Sequence, residues 1–303
     1  MYAKNDFASE AEIRAYVDRC EADFEARLEA ACDAVCAVEG LKLIGLSGPT
    51  CSGKTTTANK LIANLSRHGR TVHIVSIDDF YFDRDLLTAR AKAAGLEVDY
   101  DSIDTIDFSA LRECVREVFT DGKTSVPRYD FKTGKRSGYI EYEYNDNDLF
   151  IFEGIQAVYP EVTALFREYG YRSVYISVEE PIVVNDVSFA PNEIRFMRRM
   201  VRDYNFRGAS PEFTYFLWES VRANEEKNIL PYAPSCNIHI NSTMPYEINM
   251  LKPYLMPLLA QIPEKSEFYP AARALMARLD AARLTPISSA YIAENSLYRE
   301  FLS

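Results

Sequence analysis

The chain has 303 residues, 48% of them hydrophobic and 26% charged, which is enough apolar chain for one large domain with its own core. Its 34 basic and 45 acidic side chains give a formal net charge of −11, which opposes extended contact with the phosphates of a nucleic acid. No apolar run reaches the roughly 18 residues of a membrane-spanning helix, and residues 1–10 lack a secretory signal, so we expect a cytoplasmic protein without membrane or nucleic-acid partners.

The first part of the chain is typical of a helical extension followed by a strand, a loop and a helix. Residues 10–38 carry apolar side chains at helical spacing and contain neither Gly nor Pro, so we assign residues 1–38 to an N-terminal helical extension. Residues 41–47 form a short apolar run that predicts a strand, and helical spacing follows it. A second predicted strand, residues 71–77, ends directly before an acidic and aromatic stretch that begins with Asp78.

The middle of the chain alternates helix and strand signals around one β-rich excursion. Residues 108–122 predict a helix, and residues 124–146 alternate aromatic and polar side chains around a turn, which predicts a projecting β-hairpin. Apolar runs predict a buried central strand at residues 149–154 and a further strand at residues 171–178. Residues 193–210 have the spacing of a strongly basic helix.

The remaining elements complete a layered fold. A last strand is predicted near residues 235–243, and residues 245–303 predict a C-terminal helical extension packed on the core formed by residues 39–244. Strands that alternate with helices imply a mostly parallel sheet, because each right-handed crossover lays its helix on a face of that sheet. We therefore predict an α/β protein with a doubly wound, mostly parallel sheet.

Residues 48–55 fit the phosphate-binding pattern G-x-x-x-x-G-K-[ST], the P-loop, at every fixed position, between a predicted strand and a predicted helix. Glycines let backbone N–H groups approach a phosphate closely, and the helix that follows adds unpaired N–H donors and the positive end of its dipole. The sheet is therefore expected to be of the P-loop kinase type. The residues predicted to contact ATP are Gly48, Pro49, Thr50, Cys51, Ser52, Gly53, Lys54, Thr55 and Thr56.

Side chains in and near this loop supply candidate chemistry for phosphoryl transfer. Lys54 is expected to reach the β- and γ-phosphates, and the Thr55 hydroxyl to ligate Mg²⁺ together with Glu153, which ends a strand. Asp78 follows the strand after the loop helix, where a carboxylate can orient an acceptor hydroxyl and take its proton. Asp79 is the alternative, although its position also suits the cap of the next turn. The pattern predicts a phosphotransferase that uses ATP and Mg²⁺, with an alcohol group as acceptor.

Six short motifs follow one another between residues 41 and 240, and three more reach towards the C-terminus. The six are Gly48 to Thr55, Asp78-x-Phe80-Tyr81, Tyr100-Asp101, Pro127-x-Tyr129-Asp130-Phe131, Phe152-Glu153-Gly154 and Arg198-Arg199-x-x-Arg202-Asp203. The three are Arg202-Asp203-Tyr204-x-Phe206-Arg207-Gly208, Leu251-Lys252-Pro253-Tyr254 and Asn295-Ser296-Leu297-x-Arg299-Glu300-Phe301. In this order they resemble the uridine kinase and phosphoribulokinase family, most closely its bacterial uridine-kinase-like nucleoside kinases.

The resemblance implies roles for the candidate residues. By resemblance Asp78 is the catalytic base, Thr55 and Glu153 serve the magnesium ion, and Asp101 with Arg199 holds the ribose hydroxyls. The resemblance also implies a nucleoside pocket lined by Tyr81, Tyr100 and Tyr129. This agrees with the residue types, because aromatic faces can stack on a planar base and a carboxylate can accept both hydroxyls of a vicinal diol.

The basic segment 193–210 is the candidate lid. Its five arginines are Arg195, Arg198, Arg199, Arg202 and Arg207. In an acidic protein this density favours a lid that closes on phosphates over a merely solvated helix face. The arginines assigned to the lid are Arg198, Arg202 and Arg207.

Two positions depart from the family pattern. Uridine and cytidine kinases have a base-contacting His where this chain has Gly134, and a base-contacting Arg where it has Ala209.

The leading hypothesis is a nucleoside kinase that phosphorylates the 5′-hydroxyl. The alternatives are a kinase for a sugar, a sugar phosphate or another small alcohol and, in another class, a nucleotide-binding regulatory ATPase. The sequence leaves open the acceptor, the choice between ATP and GTP, and whether the chain forms a homo-oligomer.

Overall fold

A five-stranded parallel sheet forms the centre of the molecule in the computed structural model, which describes residues 1–100, 102–145 and 147–302. The strands within these residues are, in chain order, β1 (Leu43–Ser47), β2 (Val72–Ser76), β3 (Lys123–Asp130), β4 (Lys135–Glu143), β5 (Leu149–Glu153), β6 (Tyr171–Ser177), β7 (Ile182–Val184), β8 (Val187–Phe189) and β9 (Ile238–Asn241). The α-helices are α1 (Glu10–Cys36), α2 (Lys54–Arg67), α3 (Arg84–Ala93), α4 (Phe108–Thr120), α5 (Pro160–Arg167), α6 (Pro191–Arg207), α7 (Pro211–Asn228), α8 (Glu247–Ala260) and α9 (Tyr269–Ala281). Strands and helices alternate through most of the chain.

The sheet has the strand order β2-β5-β1-β6-β9, and all four neighbouring pairs are parallel. β1 is central, with Gly45 opposite Phe152 on one side and Ser173 on the other. The chain passes from β1 to β2 at one edge of the sheet and later inserts β5 between these two strands. β6 and β9 then extend the sheet on the other side of β1. This confirms the predicted doubly wound, mostly parallel sheet. The P-loop lies at the carboxyl end of its central strand, the edge at which such sheets bind ligands.

Side chains of β1 alternate between two cores, one on each face of the sheet. Leu43 packs in one core and Ile44 and Leu46 in the other, because successive residues of a strand point to opposite faces. Helices α1, α2, α6, α8 and α9 contribute to the core around Ile44, whereas α4, α5 and the β3–β4 hairpin contribute to the core around Leu43. Because both faces are covered, β1 and β5 are buried along almost their whole length.

Both terminal segments pack into the core that the sheet forms. The N-terminal segment contains one continuous helix, α1, and the Ser9 side chain caps its first turn by accepting from the Glu12 N–H. Phe24 of α1 is fully buried in the core that also holds Leu251 and Leu255 of α8. Neither segment is therefore a loose appendage to the sheet.

The β3–β4 pair confirms the predicted β-hairpin, which forms an antiparallel pair separate from the central sheet. It contacts the sheet where Tyr142 Oη donates to the Ile74 carbonyl oxygen at 3.2 Å. Residue 146, at the end of the predicted excursion, lies outside the described residues.

The sequence prediction did not include α3, α5 or the short β7–β8 pair. Within the described ranges, the structure has no helix that combines the length and the apolar character needed to span a membrane.

Candidate active site

The loop between β1 and α2 requires both glycines of the sequence pattern. A Cβ at Gly48 would lie 2.1 Å from the Ile176 carbonyl oxygen, so no side chain fits there. Gly53 has φ +93°, a left-handed conformation that other residues rarely adopt, and it directly precedes Lys54, the first residue of α2. The loop therefore brings its backbone close to β6 and turns sharply into the helix.

The Lys54 side chain folds back over this loop. Its Nζ donates to the Gly48 carbonyl oxygen at 2.8 Å and to the carbonyl oxygen of the next residue at 3.2 Å. Burial lowers the pKa of Lys54, and the negative charges of Glu153, Glu300 and Asp78 act in the opposite direction. The lysine thus lies within electrostatic reach of the carboxylates that follow β2 and end β5.

Polar groups of the loop are suited to a bound phosphate. The Ser52 hydroxyl is buried and has no hydrogen-bond partner among the residues that the structure describes. The Thr57 N–H bonds to the Gly53 carbonyl oxygen, whereas the N–H groups of the first helical turn before it have no acceptor within the helix. An anion with several oxygens, such as the phosphates of ATP, matches these donors. Thr55, in the same turn, is exposed to solvent.

Asp78 lies in the short 3-10 helix that follows β2. Its Oδ1 accepts a hydrogen bond from Gln156 Nε2 at 2.9 Å, and the same nitrogen lies 3.4 Å from Tyr81 Oη. Burial raises the pKa of Asp78, whereas the bond from Gln156 and the charge of Lys54 lower it. Sequence reasoning missed Gln156. The signal that points to it is its place just beyond the end of β5, at the same edge of the sheet as Glu153.

Glu153, the predicted magnesium ligand, lies opposite Ser76 of β2 in the sheet. Ser76 Oγ donates to Glu153 Oε1 at 2.8 Å. Burial raises the pKa of Glu153, and the bond from Ser76 lowers it. Asp79, the alternative base, accepts a bond from the Tyr129 N–H at 2.8 Å and so ties its turn to the hairpin. The two neighbouring aspartates therefore have different partners, a side chain for Asp78 and the hairpin backbone for Asp79.

Aromatic side chains cluster between the hairpin and the turn after β2. The centroid of the Tyr129 ring lies 5.6 Å from that of Tyr81 and 5.1 Å from that of Phe131. Tyr81 Oη donates to the Tyr100 carbonyl oxygen at 2.7 Å, so the backbone of Tyr100 also lies beside Tyr81. Phe131 completes this aromatic cluster, although the sequence indicated it only as part of a motif. Asp101, predicted to hold the ribose hydroxyls, lies outside the described residues.

The turn of the hairpin packs on Arg84, the first residue of α3. The Arg84 N–H donates to the Gly134 carbonyl oxygen and Arg84 Nη2 to the Phe131 carbonyl oxygen, both at 2.8 Å. Gly134 has φ +70°, and a Cβ at this position would lie 2.7 Å from Arg84 Nε. The arginine therefore fills the space into which a side chain at position 134 would extend.

Two arginines of α6 hold the backbone of the P-loop. Arg195 forms two bonds of 2.6 Å with Glu225 and donates to the Thr50 carbonyl oxygen at 3.0 Å. Arg198 has no exposed surface, pairs with the equally buried Glu247, and donates to the Cys51 carbonyl oxygen at 3.2 Å. This corrects the assignment of Arg198 to a lid, because a guanidinium enclosed in the core cannot close over a ligand from solvent.

The other arginines of α6 converge on Asp203. Arg199 and Arg202 pair with this carboxylate at 3.1 and 2.8 Å, and Arg207 lies 3.5 Å from it. Arg199 Nη1 also lies 3.3 Å from the Thr50 hydroxyl of the P-loop. Arg207 is the most exposed of the three, with 58% of its side chain accessible. These positions keep Arg199, Arg202 and Arg207 as candidates for contact with substrate phosphates.

A P-loop at the end of a central parallel strand, with a lysine inside it and carboxylates at the same edge, defines the class of P-loop kinases. A model of the phosphoribulokinase / uridine kinase family matches residues 43–248, and the chain belongs to this family. The match runs from β1 into the first turn of α8. It confirms the resemblance that the motifs indicated, and it marks the protein as a member of a family of kinases.

Individual relatives and one solved structure are similar over more than half of the chain. The uridine kinase of Ureaplasma urealyticum serovar 10 is 26% identical over 199 residues, which cover 65% of this chain and 86% of that protein. The uridine kinase of Staphylococcus aureus strain JH9 is 29% identical over 168 residues, 55% of this chain and 71% of that protein. The solved structure of the YGR205w protein matches with a TM-score of 0.51 at 17% identity, over 69% of this chain and 89% of that chain, a likeness of fold alone.

Proposed function

We propose that the protein is a kinase that transfers the γ-phosphoryl group of ATP to the 5′-hydroxyl of a nucleoside. The observation that supports this most directly is the grouping of Lys54, Asp78 and Glu153 within electrostatic reach of one another beside the P-loop. Phosphoryl transfer to an alcohol uses a cation on the phosphates, a base for the hydroxyl and a carboxylate for the metal ion. These three side chains provide one group for each task.

In the proposed step, the acceptor oxygen forms a bond to the γ-phosphorus while the bond from this phosphorus to the β–γ bridging oxygen breaks. The electron pair leaves with ADP, and the Asp78 carboxylate accepts the proton of the acceptor hydroxyl. Lys54 neutralises negative charge on the phosphate oxygens. Gln156 orients the Asp78 carboxylate through its 2.9 Å hydrogen bond and favours the ionised form of the base.

The oxygen ligands for Mg²⁺ would come from Thr55 and Glu153, because this ion prefers hydroxyl, carboxylate and phosphate oxygens. When bound, the ion supplies positive charge that neutralises the phosphates. Ser76 fixes the Glu153 carboxylate through a hydrogen bond and lowers its pKa, so that the ionised form needed for a ligand is favoured.

A nucleoside is proposed as the acceptor because aromatic side chains, on which a nucleobase can stack, lie next to Asp78, the proposed catalytic base. The rings of Tyr81 and Tyr129 lie 5.6 Å apart in the aromatic cluster, tilted by 50°, and Gln156 links Tyr81 to Asp78. Two of the similar proteins are named uridine kinases, which supports the same class of acceptor. Arg84 favours a second candidate, a sugar phosphate, because a guanidinium at the end of the cluster suits an anionic group.

A substrate panel tests the proposal. The purified chain is incubated with Mg-ATP and, separately, with nucleosides, sugars, sugar phosphates and other small alcohols, and ADP and the phosphorylated product are measured. Formation of a nucleoside 5′-monophosphate is the expected result. Transfer only to a sugar phosphate would favour the second candidate, and ADP release that no acceptor increases would indicate a regulatory ATPase. Absence of any reaction contradicts the proposed function.

A further inference from the structure

The C-terminal segment 296–302 lies against the P-loop, outside the region that the family model matches. Its 3-10 helix, Leu297–Glu300, contacts α2. A Cβ at Gly53 would lie 2.3 Å from Leu297 Cδ1, so the leucine packs directly on the loop. Thr56, in the first turn of α2, donates its hydroxyl hydrogen to Glu300 Oε2 at 3.3 Å. The end of the chain therefore brings a carboxylate to the predicted phosphate site.

Buried contacts hold this segment in place. The rings of Tyr298 and Phe301 are fully buried in the core. Arg198 Nη2 donates to Tyr298 Oη at 3.3 Å, and Asn205 Nδ2 donates to the Phe301 carbonyl oxygen at 3.2 Å. The position of Glu300 between these anchored neighbours is therefore set by packing against α6.

Glu300 is surrounded by positively charged and hydrogen-bond-donating groups of the kind that bind phosphate oxygens. Its carboxylate interacts electrostatically with Lys54 and with Arg202, in addition to its bond with Thr56. An ammonium, a guanidinium and the first turn of a helix are groups that neutralise the phosphates of a nucleotide. Glu300 is itself an anion, so it satisfies in part the same positive charges.

We infer that Glu300 competes with the phosphates of the nucleotide for Lys54, Arg202 and the first turn of α2. The C-terminal segment therefore weakens nucleotide binding until the Glu300 carboxylate is displaced. The inference rests on the proposed function, since it takes ATP as the ligand of the P-loop. Repulsion between a carboxylate and a phosphate a few ångströms away is large enough to change an affinity about tenfold. Glu300 thereby sets the affinity of the site for nucleotides.

Equilibrium binding of a non-hydrolysable ATP analogue with Mg²⁺ tests the inference on the full chain. Glu300→Gln removes the charge and retains an oxygen acceptor for Thr56, so its Kd is expected to be about tenfold lower than that of the wild type. The difference should shrink as salt is added, because salt screens partly exposed charges. Glu294→Gln, at an exposed carboxylate just before segment 296–302, is the matched control and should leave the Kd unchanged.

Binding of inorganic tripolyphosphate with Mg²⁺ distinguishes two explanations for a change in affinity. One is competition between Glu300 and the phosphates, and the other is an effect of Glu300 on the ribose or the adenine. Glu300→Gln and a second neutral variant, Glu300→Ala, should bind tripolyphosphate more tightly than the wild type, as they bind the analogue. Unchanged or weaker binding, or a gain for the analogue alone, overturns the inference. If no form of the chain binds the analogue, the proposed function fails as well, whereas binding by the wild type with no gain in the variants contradicts the role of Glu300 alone.

Discussion

Gln156 donates a hydrogen bond to the Asp78 carboxylate at 2.9 Å, and the two residues lie in 3-10 helices that follow different strands of the sheet. Burial raises the pKa of Asp78, and this bond opposes the rise. A carboxylate acts as a base only when ionised, so its activity is lost as the pH falls through its pKa. The acidic limb of the pH–rate profile should therefore depend on Gln156.

Gln156→Leu is expected to raise the pKa of Asp78 and to move the acidic limb of kcat/KM to higher pH. Loss of a hydrogen bond to a charged group should also lower kcat/KM at neutral pH about tenfold. A pH–rate profile of the variant measures both effects. Gln261→Leu makes the same change at an exposed position and should leave the profile unchanged. An acidic limb that stays in place in Gln156→Leu would show that the bond does not stabilise the ionised carboxylate.

Asp78→Asn should lower the rate of transfer by about 10²- to 10⁴-fold while ATP binding stays nearly intact. The same change should stabilise the fold at neutral pH, because burial raises the pKa of Asp78 above its unfolded value and the ionised form is therefore unfavourable in the folded chain. This gain should disappear as the pH falls through the pKa of Asp78, where the wild-type carboxyl also becomes neutral. Thermal unfolding across the acidic range and nucleotide binding measure these effects, and equal loss of binding and transfer would argue for a structural role.

The fold was predictable, and a phosphate site could be proposed, because their signals are local. An apolar run followed by a glycine-rich loop and helical spacing indicated β1, the P-loop and α2 within residues 41–69. Asp78 and Glu153 could be proposed because each comes at the end of a predicted strand, and parallel strands bring their carboxyl ends to one edge. The sequence pattern was thus sufficient to place the side chains that follow strands at one edge of the sheet.

The partners of these side chains were not predictable, because they depend on contacts between distant parts of the chain. The arginines of α6 predicted a lid that closes on phosphates, but Arg198 pairs with Glu247, which lies 49 positions further along. Glu300 reaches Thr56 across 244 positions. Spacing within one element cannot reveal an ion pair between two elements, so a buried arginine and a lid arginine look alike in the sequence.

Ser76→Ala should raise the Mg²⁺ concentration needed for half-maximal activity about tenfold, the size typical of lost support for a metal ligand. Ser76 Oγ donates to Glu153, and loss of this bond lets burial raise the pKa of Glu153 further. The effect should increase as the pH falls. Ser125→Ala removes a similar serine–glutamate bond, to Glu141 on the exposed hairpin, and should leave the Mg²⁺ dependence unchanged. Equal Mg²⁺ requirements in both variants would contradict the role of Glu153.

Glu247→Gln should destabilise the fold by about 3–5 kcal/mol, because it leaves the Arg198 guanidinium buried without its counter-charge. Asp280→Asn is the control: it removes the exposed partner of Lys252, an ion pair of 3.0 Å, and should change the free energy of unfolding by about 0–1 kcal/mol. Denaturant unfolding measures both. Equal stabilities would mean that the buried pair contributes no more than a surface pair.

Gly134→Ala should destabilise the hairpin turn for two reasons that a control can separate. Gly134 and Gly95 both have φ +70°, so an alanine at either position is strained by about 1 kcal/mol. Only at position 134 would the new Cβ also meet a neighbour, Arg84, whereas the space around Gly95 is open. Gly134→Ala should therefore be about 1 kcal/mol less stable than Gly95→Ala, as overpacking predicts, and only Gly134→Ala should raise the KM of the acceptor, because Arg84 borders the aromatic cluster. Equal stabilities and equal acceptor KM values in the two variants would show that the turn accommodates the new Cβ without moving Arg84.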